Sequence, residues 1–475
     1  MGQKIDNCSG FMKFFDIECF FAFSKGYLLE ITTSKEKTEE FKTKCKERGN
    51  FDALGWVYGV DNRQNDVAFL LTEQQGPLCY YKGTVSLIVD AVVHTNNTIL
   101  KDVHRDLRGF SAIDFSGEPV NSVFSPKEIF GNDKRFNRTG IEWLLPEDYA
   151  KSFNTEIQGK KCIISFAVIV DRSDLDPDKL SLGSLNSFIR LEFEERQDMS
   201  FIIKCWESVC SFLSFCVGSF NVTDLDVGLW DESQKVGLLD IRGPICCCIN
   251  HEEVESVHFE HSPYYRFQVC YLDEKVGALF SLLNDEKNKP VLKFLPKTKT
   301  DIAIDRNKIR ELCTSLEVEY DYNKRKFSYN KLDNLVESLK GTVKQYKKEH
   351  IGEIEDNEYS YIFGSLNHIS CSARRKIILL YERYCSIIKE VIEKNYILES
   401  EKVDLSIAQT EKDIGWIVTT RNNLTHNTGV NEDLIPNAIF FRLKLVVYCS
   451  ILERSGYPLE EIESILYLYA SGGWK

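Results

Sequence analysis

The sequence predicts an α+β protein of more than one domain, with a β-rich N-terminal region followed by an all-α C-terminal helical bundle. Two observations carry this. The apolar pattern has period two over much of the first 200 residues and period 3.6 after about residue 300, the signatures of half-buried strands and amphipathic helices. The chain also has 475 residues, beyond the size at which one hydrophobic core stops growing. With 43% hydrophobic and 28% charged residues, its composition is that of a folded chain rather than a disordered one.

From Gly26 to about residue 200 the apolar segments are short and rich in β-branched and aromatic residues. SFIRLEFEE shows the alternation best, with Ile189, Leu191 and Phe193 toward a core and Arg190, Glu192 and Glu194 toward water. DVAFLLTE, CYYKGTVSLIVDAVV, CIISFAVIV and YYRFQVCYL read as further strands. Residues 201 to 217 break the pattern. Ile202, Trp206, Val209, Leu213 and Cys216 follow spacings of three and four, which predicts a helix packed on the sheet. No repeat or linker divides the region, so residues 1 to 290 are one β-rich region of one or two subdomains.

The charged, Pro-containing stretch NDEKNKPVLKFLPKTKTD at 284–301 reads as the boundary. Residues 301 to 475 then form the helical domain. Helices are expected near 306–317, 328–348, 372–394, 433–454 and 459–470. Ile377, Tyr381, Tyr384, Ile388 and Val391 make the stripe of one long helix, and Leu434, Ala438, Leu445, Cys449 and Leu452 that of another. Short connections predict antiparallel neighbours.

The formal net charge of −13 argues against a binder of nucleic acid over its whole surface, because phosphate contact needs local positive potential. The acidity is uneven. Residues 301 to 475 hold 24 Lys and Arg against 27 Asp and Glu, so most of the excess lies upstream. Arg374, Arg375 and Lys376, and Lys344 with Lys347 and Lys348, are local basic clusters that could meet a short stretch of RNA or simply form solvated helix faces.

The most apolar run, FLSFCVGSF, is too short to span a bilayer, and MGQKIDNCSG lacks the order of a secretory signal, which predicts a cytoplasmic protein without a membrane partner. Sixteen scattered cysteines then read as buried thiols rather than disulfides. Cys246, Cys247 and Cys248 with His251, His258 and His261 carry zinc-ligand chemistry without a standard spacing. In an extended segment only Cys246 and Cys248 share a face, so no metal or other cofactor is expected.

Between the two long helices lies SIAQTEKDIGWIVTTRNNLTHNTG, helical by pattern and stopped at Asn427–Gly429. Ile407, Ile414, Ile417 and Leu424 define its buried stripe, and Arg421 falls on it. From pattern alone, Arg421 pairs with a carboxylate of a neighbouring helix and His426 complements the negative end of the helix dipole.

The string RNNLTH resembles the R-x4-6-H signature of the HEPN family of RNA endonucleases, including the polar residue after the arginine, here Asn422. It also stands late in a helical bundle, where that family carries it. The wider chain, β-rich first and helical last, is similar to the ApeA-like group of abortive-infection proteins. The resemblance implies a metal-independent endoribonuclease of anti-phage defence, with Arg421 and His426 catalytic and Asn422 assisting. It also implies an RNA substrate such as tRNA or another single-stranded loop, a phage-derived trigger, and a homodimer or higher homo-oligomer.

The residue types suit the chemistry. The 2′-hydroxyl of RNA can attack its own phosphorus, giving a 2′,3′-cyclic phosphate and a free 5′-hydroxyl. Imidazole moves the proton near neutral pH, and the planar guanidinium stabilises charge on the phosphoryl oxygens. Residues five apart on a helix are rotated by about 140° and displaced by about 7.5 Å, so one helix does not bring Arg421 and His426 together. A two-fold dimer of motif helices would. The competing reading is a non-catalytic HEPN-like dimeric scaffold in which Arg421 and His426 are structural.

Overall fold

A computed structural model describes residues 7–24, 26–48, 55–71, 80–81, 83–95, 107–125, 150–170, 185–219, 222, 225–231, 245–250, 266–296, 304–327, 331–350, 352–353, 355–394, 406–425 and 437–471. The chain divides into two compact units. The first comprises Met1–Val217, Asn221–Glu260 and Gln268–Cys270, and the second Gly218–Phe220, His261–Phe267 and Tyr271–Lys475.

The first unit is built on antiparallel strands. β1 (Cys8–Phe14), β2 (Ile17–Ser24), β3 (Leu28–Thr33), β4 (Trp56–Asp61), β5 (Asp66–Leu71) and β7 (Thr84–His94) pair in the order β3-β2-β1-β4-β5-β7, and β3 also pairs with β7, so the six close into a barrel. The short β6 (Tyr80–Tyr81) adds to β7. Alternation fills the interior. Met12, Phe14, Ile17, Cys19, Phe21, Phe23, Leu29 and Ile31 point inward and are buried, while Phe11, Lys13, Glu18 and Phe20 face out. The β1–β2 hairpin turns through Phe15 and Asp16, both at positive φ (52° and 61°), the sense that matches the strands' right-handed twist. Helix α1 (Thr38–Arg48) adds Phe41 and Cys45 to the same core.

β7 serves two layers. Its first half pairs with β3 (Leu28 opposite Ile88), and its second half with β13 (Ile245–Ile249; Cys246 opposite His94). From there the sheet continues through β12 (Asp226–Trp230), β8 (Gly109–Ser116), β11 (Leu185–Asp198), β10 (Lys160–Val170) and β9 (Lys151–Ile157). β11 follows the expected alternation, with Ile189, Leu191 and Phe193 buried. Helix α2 (Glu118–Val123) and helix α3 (Ile202–Val217) pack together on this sheet, with the Phe212 ring 5.8 Å from that of Phe166. Together with the 3-10 turn before it, α3 is long and apolar enough to cross a membrane. Yet 67% of that window is buried, because Cys205, Phe212 and Phe215 join the expected stripe and widen its buried face, while the side chains of Lys204 and Glu207 stay exposed.

The second unit is helical. It contains α4 (Val276–Leu283), α5 (Arg306–Asn323), α6 (Lys331–Glu349), α7 (Asp356–Cys371), α8 (Ala373–Glu393), α9 (Ile407–Thr425), α10 (Asn437–Arg454) and α11 (Leu459–Ser471). α5 is central and packs on α8, α9 and α10. Three of its acidic residues each meet a cation from a different helix: Glu317 meets Arg421, Glu319 meets Arg454, and Asp321 meets Lys376. The α8 stripe is buried as its sequence requires, and Ala438, Leu445, Cys449 and Leu452 of α10 are buried, while Leu434 lies outside the described residues. α7 was not legible from periodicity. It begins with a reciprocal capping box between Glu355 and Glu358, a signal available in the sequence.

Two expectations are corrected. The change of unit falls near residue 270, not within 284–301, and Val269–Leu272 of the expected strand YYRFQVCYL is a helical turn. A short apolar run does not by its pattern distinguish strand from helix. The charged stretch after residue 284 is not a linker but is pinned inside the second unit. Tyr322 Oη donates to Lys287 O, Arg454 donates to Asn288 O, and Phe294 is buried with its ring 6.3 Å from that of Phe440.

A fragment starting at 301 therefore lacks Val276, Leu279, Phe280, Leu283 and Phe294, all buried. Each contributes about 1.5–3 kcal/mol when fully buried, against a domain stability of about 5–15 kcal/mol. A fragment starting at 261, which keeps buried Phe267 against Tyr448 and Tyr469, is expected to melt cooperatively, and one starting at 301 to lose that transition. Equally sharp circular-dichroism melts from both would reject the revised boundary.

Glu453 on α10 binds Arg383 and Tyr384 of α8, with Lys326 nearby. Burial alone would raise its carboxyl, but these hydrogen bonds and charges outweigh burial and hold it down to about 2. An acid with a depressed folded pKa stabilises the fold above its unfolded value and loses that contribution as pH falls toward the folded value. Glu453→Gln is expected to remove about 3 kcal/mol at pH 7 and to flatten the loss of stability between about pH 4.5 and 2. Denaturant titrations across that range measure both effects.

Candidate functional site

The candidate site is built on α9. Ser406 Oγ accepts from Gln409 N at its start, and Thr410, Ile414, Ile417 and Val418 bury one side. The side chain of Arg442, 1% exposed on α10, donates to Thr410 Oγ1 and Asp413, fixing the rotation of the helix. On the opposite side Thr419 and Asn422 face solvent and Gly415 is half-buried.

Arg421 sits where the buried stripe reaches the surface. Its side chain is 29% exposed, Nη2 donates to Glu317 Oε1 at 2.9 Å, and Nη1 donates to Asn422 Oδ1 at 3.2 Å. Glu317 belongs to α5, as does buried Cys313 one turn before it. Burial pushes the Cys313 thiol up to about 12 against the opposing pull of the Arg421 charge. Arg421 therefore has the carboxylate partner that its buried-stripe position demanded. His426 follows the last helical residue, Thr425, and lies outside the described residues, so the structure gives no distance between the expected pair.

The basic triplet at the start of α8 separates into different roles. Lys376 is committed to Asp321 at 2.8 Å, with its amine 5.8 Å from the Tyr320 ring centroid. Arg375 is half-buried. Arg374 is exposed and reaches α9, where its Nη2 lies 3.5 Å from Glu411 O. In the other cluster, Lys347 pairs with Asp356 at 2.6 Å and Lys344 lies over the Phe363 ring, so both serve the α6–α7 contact. Sequence reading missed Glu317 and Gly415. Glu317 had no local signal, being 104 positions from Arg421, whereas a glycine inside a helix is itself a signal of close approach.

Cys246 and Cys247 are buried in β13, where burial pushes the Cys247 thiol well up. His251 and His258, like His261, lie outside the described residues. Among the described residues no three His, Cys, Asp or Glu side chains group as metal ligands. In comparisons with known proteins, no family model, no curated protein and no solved structure matches the chain.

Proposed function

We propose that the chain is a metal-independent endoribonuclease of HEPN type that acts in the cytosol in anti-phage defence by abortive infection. The observation that supports this best is RNNLTH at the end of α9, with its arginine half-exposed and held in place from α5. In the proposed reaction the 2′-hydroxyl attacks phosphorus as His426 transfers the proton, the bond to the 5′-oxygen breaks, and Arg421 stabilises the charged phosphoryl oxygens. Asn422, next to Arg421 and exposed, orients the phosphate or the imidazole.

The active form is a homodimer in which two motif helices complete the cleft, as the resemblance to the HEPN family implies. Single-stranded RNA loops, tRNA anticodons among them, fit the need for in-line geometry. The first unit acts as the restraint and the receiver of a phage-derived trigger.

The Arg421–Glu317 pair favours a second reading, a non-catalytic dimeric scaffold in which this arginine is structural. One experiment separates the two. Purified full-length chain is incubated with labelled RNA in EDTA, alongside Arg421→Ala and His426→Ala. Cleavage to 2′,3′-cyclic phosphate ends that both substitutions abolish supports the enzyme. Cleavage that survives both, or none by the wild type in the presence of phage extract, supports the scaffold.

A further inference from the structure

We propose that Arg374, seated on Gly415, forms a second phosphate subsite that holds the RNA strand alongside the Arg421 site, a reading that rests on the ribonuclease proposal. The carrying observation is the fit between one arginine and one glycine on neighbouring helices. A Cβ built on Gly415 would lie 3.2 Å from Arg374 Cζ and 3.4 Å from both Nε and Nη2. These distances to three atoms of the group place the Arg374 guanidinium against the bare backbone of α9.

Glycine costs a helix interior stability relative to alanine, so its presence at mid-helix calls for a packing reason, and accommodating this guanidinium is one. Arg374 is nonetheless exposed. Its Nη2 lies a long 3.5 Å from the backbone carbonyl of Glu411 rather than against a carboxylate, and among the described residues no acidic side chain pairs with it. Lys376 two positions on shows the contrast, since Asp321 neutralises it. A cation held in place with no carboxylate partner among the described residues suits an anion from outside.

Placement along α9 says which anion. Gly415, half-buried, and Asn422, exposed, share the side of the helix away from its buried stripe, and seven residues at 1.5 Å per residue separate them by about 10.5 Å. At roughly 3.4 Å per nucleotide of a stacked strand, that is about three nucleotides. A phosphate on Arg374 would therefore belong to the same strand as a phosphate beside Arg421 and Asn422. A mononucleotide or a dinucleotide would reach only one of the two positions. The subsite selects a continuing strand without reading its bases, as phosphate contacts do.

The test uses full-length protein, a labelled oligouridylate and the dinucleotide uridylyl-uridine, which has a single phosphodiester. Arg374→Ala removes the charge. Gly415→Gln keeps the charge but fills the seat with a residue that favours helix. Both are expected to weaken oligouridylate binding by about three- to tenfold and to lower the slope of log affinity against log salt by about one. Both should raise KM for oligouridylate with kcat preserved and leave uridylyl-uridine cleavage unchanged.

A purely structural glycine predicts the opposite for Gly415→Gln, a higher melting temperature with wild-type binding and KM, and that result overturns the proposal. So does failure of the wild type to bind oligouridylate, or equal losses on both substrates. Arg421→Ala run in parallel keeps the two claims apart. If it cleaves like wild type, the ribonuclease reading fails; if it is inactive while the Arg374 and Gly415 variants behave as wild type, only the subsite fails.

Discussion

Arg421→Ala is expected to lower the rate of RNA cleavage by about 10²–10³, the usual effect of removing one donor aimed at developing charge. His426→Ala is expected to cost about 10²–10⁴, the range for a lost proton-transfer group. Magnitude separates chemistry from folding here. The Arg421–Glu317 pair is part-exposed on both sides, at 29% and 22%, so breaking it costs on the order of 1 kcal/mol of stability. A hundredfold rate loss corresponds to about 2.7 kcal/mol at the barrier. Thermal melts of the variants therefore decide the matter. A rate loss with a transition close to wild type assigns Arg421 to the reaction, whereas a transition lowered in proportion to the lost activity returns it to a structural role.

Glu319→Ala is expected to have the largest effect on stability. Its side chain is fully buried in the second unit, bonded to Arg454 Nη1 and accepting from Ser450 Oγ, while Asn323 Nδ2 donates both to Ser450 Oγ and to the Glu319 backbone carbonyl. Burial raises its carboxyl above the ordinary range despite the charge of Arg454, so the desolvation of this pair is not fully repaid. Removing the acid alone strands the guanidinium of Arg454, 9% exposed, at a cost of about 3–5 kcal/mol. Replacing both partners with methionine is expected to recover most of that loss, because two apolar side chains need no partner. Urea titrations of the single and double variants measure the difference. A double variant no more stable than Glu319→Ala would show that the pair itself supplies the stability.

The parts of this molecule that the sequence made legible are those set by local pattern. β11 and α8 could be read residue by residue, because alternation and the i, i+3, i+4 stripe are written within a few turns of chain. The half-burial of Arg421 followed from its place on the α9 stripe. What could not be read depends on contacts distant in sequence. Glu317 reaches Arg421 across 104 positions, and barrel closure joins β3 to β7 across a long separation, as between Leu28 and Ile88. The first hairpin was missed because FMKFFDIECFFAFS interrupts its alternation with doubled phenylalanines; one of these, Phe15, occupies the turn and Phe20 faces outward. The unit boundary was displaced because a charged, Pro-containing stretch has the composition of a linker whether or not its carbonyls are bound.

β7 stays in the barrel along its length, its first half bonded to β3 and its second to β5, and that second half is bonded on its other edge to β13 of the second sheet. Ala91, Val92, Val93 and His94 thus belong to two layers at once. Neither layer can slide by a residue without turning the interior side chains of the other outward, since a single register fixes both. The first unit is therefore one cooperative body with two surfaces, and an event that shifts the strand on the barrel side is felt as a change of pairing on the sheet side.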